Sequence, residues 1–332
     1  MMPAVGLGGG MKRRRFFGLV GGAMLTGPLT WPLAVRAQHK LPSIGVLVTA
    51  DPEPFWTRMQ ESLRELGYLD GKNVRFEFRS AGGKPDVLNG LAEELVRLNV
   101  DLIVVRLTPA AFAARKATTT LPIVMASVAD PVGAGLVASL SRPGGNITGL
   151  SGTTAELGAK ILELIREMMP AAERAGVLVN ATDPFSKTFV EQVESGGRSL
   201  GIAIQPHIVE GAAGFEAAIE AMVRDRADAV IVQPSLPFKT AIDLALKHKL
   251  ISISPIPSFA DAGGLMSYAA NQNDIYRNLA IYIDRVLKGT KPSELPVLQP
   301  TRYELVINLK TAKSLGIAVP PALLARADEV IE

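Results

Sequence analysis

The sequence predicts an α/β fold of two doubly wound lobes, each built on a parallel sheet. Three observations carry this. Short β-branched runs alternate with amphipathic helical stretches, the connections between them are a few residues long, and after a long Gly/Pro-rich stretch at 130–152 the same rhythm restarts. Strand–helix alternation with short connections implies parallel crossovers, and strands covered on both faces read as continuous apolar runs. A chain of 332 residues is long enough for two such units, each with its own core.

The elements follow in order. Residues 44–48 form an unbroken apolar run, a buried strand, and Phe55, Met59, Leu63 and Leu66 then fall on one helical face that Gly67 ends. Val74, Phe76 and Phe78 alternate as a strand, and Leu88, Leu91, Leu95 and Leu98 share a helical face. A strand at 102–105, a helix at 110–117 and a strand at 123–126 complete the first series. In the second half, Leu157, Ile161, Leu164 and Met168 mark a helix, 176–179 a strand, and Phe189, Val193 and Leu200 a helix. A strand at 202–208, a helix through Phe215, Ile219 and Met222, and a strand at 229–232 come next. A helix at 241–247, strands at 251–254 and 265–268, a longer helix at 275–287, a strand at 303–307 and a helix at 312–315 close the series. The tail from Val319 reads as a surface strap. The two halves share an architecture without sharing a sequence repeat.

Composition narrows the function. Hydrophobic residues make up 48% of the chain, which excludes intrinsic disorder. The absence of cysteine removes disulfides, thiol nucleophiles, iron–sulfur ligation, Cys-based zinc sites and a lipid-modified cysteine. Three histidines, His39, His207 and His248, lie far apart without ligand spacing, so neither a metal nor a histidine-based catalytic site is expected.

The formal charge of +3 invites a nucleic-acid reading, but its source is local. Lys12-Arg13-Arg14-Arg15-Phe16-Phe17 precedes an uncharged stretch that ends at Val35-Arg36-Ala37-Gln38. A basic segment, an apolar segment and small residues at −3 and −1 make a secretory signal at 1–37, cleaved after Ala37, with a twin-arginine look. Glycines and prolines make the apolar part a poor membrane helix. Removing its five bases and no acid leaves 30 bases against 32 acids, a net charge of −2. No nucleic-acid partner is expected, and the mature chain is expected in the periplasm.

Gly133-Ala134-Gly135-Leu136-Val137-Ala138, with Glu156 about 20 residues on, matches a dinucleotide-binding fingerprint. That motif belongs after the first strand of a βαβ unit, and here it follows the fourth, so no cofactor is expected. Phosphate-binding P-loop, zinc-protease and nucleophile-elbow motifs are absent. Acidic pairs such as Glu93-Glu94 sit on helices as solvated faces, so no catalytic residue is assigned.

In open α/β sheets ligands bind beyond the carboxyl ends of the strands. The loops there offer hydroxyls at Thr49, Thr108, Ser127, Ser235 and Ser258, an amide at Asn180, and carboxylates at Asp51, Asp130 and Asp183. Aromatics lie beside them at Phe55, Trp56, Phe185, Phe238 and Phe259. Pro-Phe recurs at such positions (54–55, 184–185, 237–238), either as helix-start chemistry or as the wall of a cleft for a small zwitterion.

At Leu121-Pro122-Ile123-Val124, Asp130-Pro131-Val132-Gly133-Ala134-Gly135-Leu136-Val137 and Arg142-Pro143-Gly144-Gly145-Asn146-Ile147-Thr148-Gly149 the chain resembles a known family. This is the periplasmic substrate-binding proteins of ABC transporters, in the group that resembles tryptophan-type, aromatic amino-acid binders. Gly289-Thr290-Lys291-Pro292 and the run from Leu305 through Asn308 to Ala327-Asp328-Glu329 fit the same family. The resemblance implies a type I periplasmic binding fold, with lobe one from 42–150 and 273–299 and lobe two from 151–272 and 300–332. It implies hinge crossings at Gly149, Asn271 and Pro300. Ligand would be pinned by Thr49, Phe55, Thr108, Ser127 and Asp130 from lobe one and by Asn180, Phe185, Ser235 and Phe259 from lobe two. One departure is Arg106, where the family often has small residues; it could pair with a ligand carboxylate, shrink the pocket or face solvent.

The expected function is therefore capture of a small amino-acid-like ligand by a monomer that delivers it to an ABC permease in the inner membrane, without catalysis. A periplasmic sensor subunit and an exported α/β enzyme are the alternatives.

Overall fold

The computed structural model describes residues 41–152 and 157–332. The export-signal reading of 1–37 and the position of Glu156 lie outside the described residues.

Lobe one begins with β1 (Ser43–Val48), α1 (Phe55–Glu65), β2 (Arg75–Ser80) and α2 (Leu88–Arg97). It continues with β3 (Leu102–Arg106), α3 (Thr108–Ala117), β4 (Ile123–Val128) and β5 (Ile147–Ser151). Its strands form one parallel sheet in the order β2-β1-β3-β4-β5. All six residues of β1 are buried, as an unbroken apolar run demands of a strand covered on both faces. On α1 the buried positions are Phe55, Met59 and Leu63, one helical stripe, while Leu66 falls past the last turn and is exposed.

Lobe two runs through α4 (Leu157–Met168), β6 (Arg174–Asn180), α5 (Ser186–Leu200), β7 (Ala203–Val209) and α6 (Phe215–Arg224). It goes on through β8 (Ala229–Val232), α7 (Phe238–Lys247), β9 (Ile251–Ser254), the single-turn α8 (Ser258–Asp261) and β10 (Met266–Ala270). The chain then supplies α9 (Gln272–Leu287) to lobe one, where its Ile275, Leu279 and Ile283 share a core with Ile44, Val46 and Leu102. It returns as β11 (Tyr303–Asn308), α10 (Leu309–Leu315), α11 (Pro321–Leu324) and β12 (Glu329–Ile331). The second sheet has the order β12-β11-β10-β9-β8-β6-β7. Strands β7, β6, β8, β9 and β10 repeat the winding of lobe one, so the two halves are one architecture used twice.

Besides the short helices α8 and α11, which the sequence reading left as loop and tail, three strands differ from it. The Gly/Pro-rich stretch contains β5, which pairs with β4 and completes the lobe-one sheet. The tail is not a strap throughout, because its last residues pair with β11 as the parallel edge strand β12. β11 itself runs antiparallel to β10, with Ala270 opposite Tyr303, because the chain comes back from lobe one in the reverse direction.

The chain passes between the sheets after β5, between Ala270 and Gln272, and between Leu298 and Tyr303. These passages are hydrogen-bonded to one another. The Ser151 amide donates to the Leu298 carbonyl (2.8 Å) and the Asn271 amide to the Arg302 carbonyl (3.0 Å). The Asn271 side chain accepts from the Asp274 amide at 2.8 Å, capping α9, and donates to the Glu304 carboxylate at the start of β11. Pro300 lies in the third passage, outside any strand or helix. Gly149, by contrast, sits within β5, and a Cβ there would stand 2.3 Å from the Met125 carbonyl oxygen. Close approach of β5 to β4 demands glycine at that position.

Candidate functional site

Each sheet reverses its strand order beside its first strand, between β1 and β3 in lobe one and between β6 and β8 in lobe two. Loops diverge at such switch points and leave a crevice at the carboxyl ends of the strands. Here the crevices share a cleft of about 640 Å³, counting its part open to solvent. Lobe one contributes Arg106, Leu107, Thr108, Ser127 and Ala129 to its wall, from the ends of β3 and β4. Lobe two contributes Asp183, Phe185, Phe189, Gln233 and Ser235, with Pro255, Ile256 and Pro257 beyond β9. Gln272, at the start of α9, lines it from the second passage. The lobes also approach each other where a Cβ on Gly83 would stand 3.5 Å from the Pro237 ring.

The lobe-one wall is backbone held in unusual conformations. Leu107 has φ 67° and ψ 165°, a region that costs an L-residue about 1–3 kcal/mol. Ser127 has φ 57°. Two hydrogen bonds fix this turn. The Leu107 amide donates to the Ala126 carbonyl (3.3 Å), and the Thr108 hydroxyl accepts from the Ala129 amide (3.2 Å). Together they lock the ends of β3 and β4 side by side, with Arg106, Thr108 and Ser127 on one wall.

Arg106 is half-buried, with its guanidinium carbon 5.2 Å from the centre of the Phe55 ring. Phe55 packs in turn at 6.1 Å on Tyr276 of α9. Burial holds the Arg106 pKa below its ordinary value, opposed by Tyr276 and Asp51, which lie near enough to act through their charge. Among the described residues no carboxylate forms an ion pair with Arg106. The same guanidinium borders two further cavities between the lobes, one beside Tyr276 and one beside Thr49 and Asp51.

The lobe-two wall is a polar network. The Asp183 carboxylate accepts from the Phe185 amide and from the Gln233 side-chain amide, both at 2.9 Å. The Gln233 carbonyl oxygen accepts from the Asn180 amide (2.8 Å) and from the Ser186 hydroxyl (3.1 Å). The Asn180 side chain donates to the Ser235 hydroxyl at 3.2 Å and accepts from Thr182. Asp183 is 7% exposed and forms no ion pair among the described residues. Burial therefore raises its pKa above the ordinary 3.8, partly countered by hydrogen bonds from Ser235 and the Phe185 amide. The rest of the wall is apolar, from Phe185 and Phe189 to Ile256 and Ala269.

The sequence-expected site residues divide between this cleft and other places. Thr108, Ser127, Phe185 and Ser235 lie on its wall. Thr49 borders the adjoining cavity with Arg106, Leu107 and Phe238. Asn180 is buried behind the wall and supports it. Phe55 lies in the lobe-one core beneath Arg106 rather than facing the cleft. Asp130 is spent on its own turn, where its carboxylate accepts from the Gly133 amide at 2.9 Å, and it is not on the cleft wall. Phe259 is fully buried in lobe two against Phe238, because the single turn α8 directs it into the core. These three placements have one cause: lying after a strand does not fix whether a side chain turns toward the crevice or back into the lobe. The fingerprint at Gly133 forms turns with no helix behind it, so it lacks the helix N-terminus that would hold a pyrophosphate.

Gln233, Gln272 and the Pro255–Pro257 wall were not anticipated. For Gln233 the signal is position, since it directly follows β8 beside the switch point. Among the described residues no group of His, Asp and Glu could hold a metal ion, and no helix is long and apolar enough to cross a membrane.

Known proteins share this fold. The chain is 29% identical over 264 residues to a tyrosine-binding protein of Clostridioides difficile, covering 77% of this chain and 75% of that one. A domain of Streptococcus pneumoniae solved in complex with L-Trp superposes with a TM-score of 0.80 at 30% identity, covering 88% of this chain and all of that one. A conserved domain protein of Vibrio cholerae superposes with a TM-score of 0.81 at 29% identity, with the same coverage. The family described as ABC transporter substrate binding protein matches residues 55–331. The chain belongs to the substrate-binding proteins of ABC transporters, a family that binds its solute and does not transform it.

Proposed function

We propose that this protein is the periplasmic receptor of an ABC importer and that it closes its lobes, by motion at the three passages, on one small amino-acid-like zwitterion. The observation that carries the ligand class is Asp183, a buried carboxylate with only neutral donors around it, set beside the apolar patch of Phe185, Phe189 and Ile256. A ligand ammonium supplies the missing counter-charge, while Phe185, Phe189 and Ile256 accept an apolar or aromatic side chain. The tyrosine and tryptophan of the relatives support that chemistry. A net charge of −2 beyond the basic leader suits a protein that meets anionic lipid without adhering to it. Delivery to a permease, action as a monomer and the absence of a nucleic-acid partner belong to the same proposal.

A thermal-shift screen of the purified protein against amino acids, small organic acids and sugars tests it. An aromatic amino acid at about a hundred times its Kd is expected to stabilise the protein by about 2.7 kcal/mol, or about 5–10 °C. Sugars raising the melting point while every amino acid leaves it unchanged contradicts the ligand class.

Asp183 also sets a pH dependence. Its folded pKa lies above 3.8, so protonation removes the charge that an ammonium needs. Affinity for tryptophan is expected to be flat above that raised pKa and to fall about tenfold per unit of pH below it. The empty protein behaves oppositely. The native state holds this proton more tightly than the unfolded chain, so Asp183 contributes stability that is lost as pH rises from 3.8 through its folded pKa. Calorimetric titration at stepped pH measures the first trend and thermal melts the second.

A further inference from the structure

We propose that Arg106 is the anion subsite of the cleft, so that the ligand lies with its carboxylate on lobe one and its ammonium on Asp183 of lobe two. The inference rests on the binding-protein reading above and adds the ligand's orientation and the residue that enforces it. Arg106 is the last residue of β3, at the switch point, on the wall of the main cleft and of two adjoining cavities. Its guanidinium lies half-buried over Phe55 and carries no ion-pair partner among the described residues. A cation taken out of water without a counter-charge is unfavourable, and the planar donor fork is shaped for a carboxylate. The turn at Leu107 and the bond from the Ala129 amide to Thr108 fix the backbone from which that side chain extends.

The consequence concerns closure. Lobe one brings an unpaired cation and lobe two an unpaired carboxylate to the same cleft. A molecule carrying both charges neutralises both walls at once. One carrying a single charge leaves the opposite wall buried and unpaired, which opposes closure. The selected class is zwitterionic, and discrimination falls on the two charges rather than on the side chain alone.

The test is a cycle that combines variant and ligand, read by titration calorimetry. The probes are L-tryptophan, L-tryptophanamide, which lacks the carboxylate charge, and indole-3-propionate, which lacks the ammonium. If another amino acid gives the largest thermal shift, that amino acid and its amide replace the tryptophan pair. Wild-type protein is expected to bind the acid about 30-fold or more tightly than the amide. Arg106→Gln is expected to lose about the same factor for the acid and to bind acid and amide alike. Arg106→Lys, which keeps the charge without the fork, is expected to fall between. The comparison of acid and amide on wild-type protein needs no variant to fold. Equal binding of acid and amide, or an R106Q protein that still separates them, overturns the anion subsite while leaving an amino-acid receptor intact. No binding by any carboxylate while a sugar binds overturns it as well. No binding of any small molecule overturns the receptor reading itself, and this inference with it.

Discussion

Gly149→Val is expected to lower the melting temperature by about 10 °C or more. A Cβ at Gly149 would meet the Met125 carbonyl oxygen at 2.3 Å, the Met125 amide nitrogen at 2.4 Å and its Cα at 2.9 Å. These are backbone atoms of the neighbouring strand, so no side chain can swing aside. The glycine also holds φ +128°, outside the range a β-branched residue adopts. Overpacking and backbone strain each cost about 1–3 kcal/mol, and splitting β4 from β5 adds to both. The bulge between Met125 and Val128 would be disturbed, and with it Ser127 on the cleft wall. Gly145 is the control, since nothing lies within 4 Å of a Cβ there, and Gly145→Ala is expected to melt like the wild type. Paired thermal melts decide it; equal midpoints for G149V and the wild type would refute the close approach.

That position shows how the sequence and the fold relate. Most strands and helices were legible because burial on both faces, or along one stripe, leaves a periodic record, as in β1 and α1. β5 left none. It is five residues long, carries a glycine at its centre and lies among prolines and glycines that read as loop. Its strand character comes from pairing with β4, a tertiary fact. β12 is shorter still, and only its register with β11 defines it.

Asp183→Asn is expected to weaken binding of a zwitterionic amino acid by about 30-fold or more, the cost of leaving a buried charge on one side of an ion pair unmatched. The substitution keeps the shape of the side chain. Its carbonyl can still accept from the Phe185 amide, but its amide group now faces the Gln233 amide, where the carboxylate had accepted at 2.9 Å. Gln233 can answer by exchanging its own oxygen and nitrogen, at the expense of the bonds it receives from the Asn180 amide and Ser186. Stability is therefore expected to change little, because removing an uncompensated buried carboxylate offsets the disturbed network. Affinity for indole-3-propionate, which offers no ammonium, is expected to hold steady or rise. Calorimetry with both ligands separates the two effects. An unchanged tryptophan affinity in D183N would remove the carboxylate from the ligand's reach.

The site was less legible than the fold, and for a physical reason. Thr108, Ser127, Phe185 and Ser235 come from the rule that ligands bind past strand ends, and all lie on the cleft wall. The same rule also selects Phe259 and Asp130, whose side chains turn into the core and onto a local turn. Strand position fixes where a residue starts, and packing fixes where it points. Arg106 stood out in the sequence only as a departure from its relatives. That no carboxylate among the described residues forms an ion pair with it is a property of three dimensions.

The central claim is that one zwitterion is held, unchanged, between the two lobes. Calorimetric titration of the purified protein with L-tryptophan and L-tyrosine, followed by recovery of the ligand from the denatured complex, tests it directly. The account predicts saturable binding of one molecule per chain, with the amino acid recovered chemically intact. Absence of saturable binding by any amino acid, or recovery of a transformed product, would contradict it.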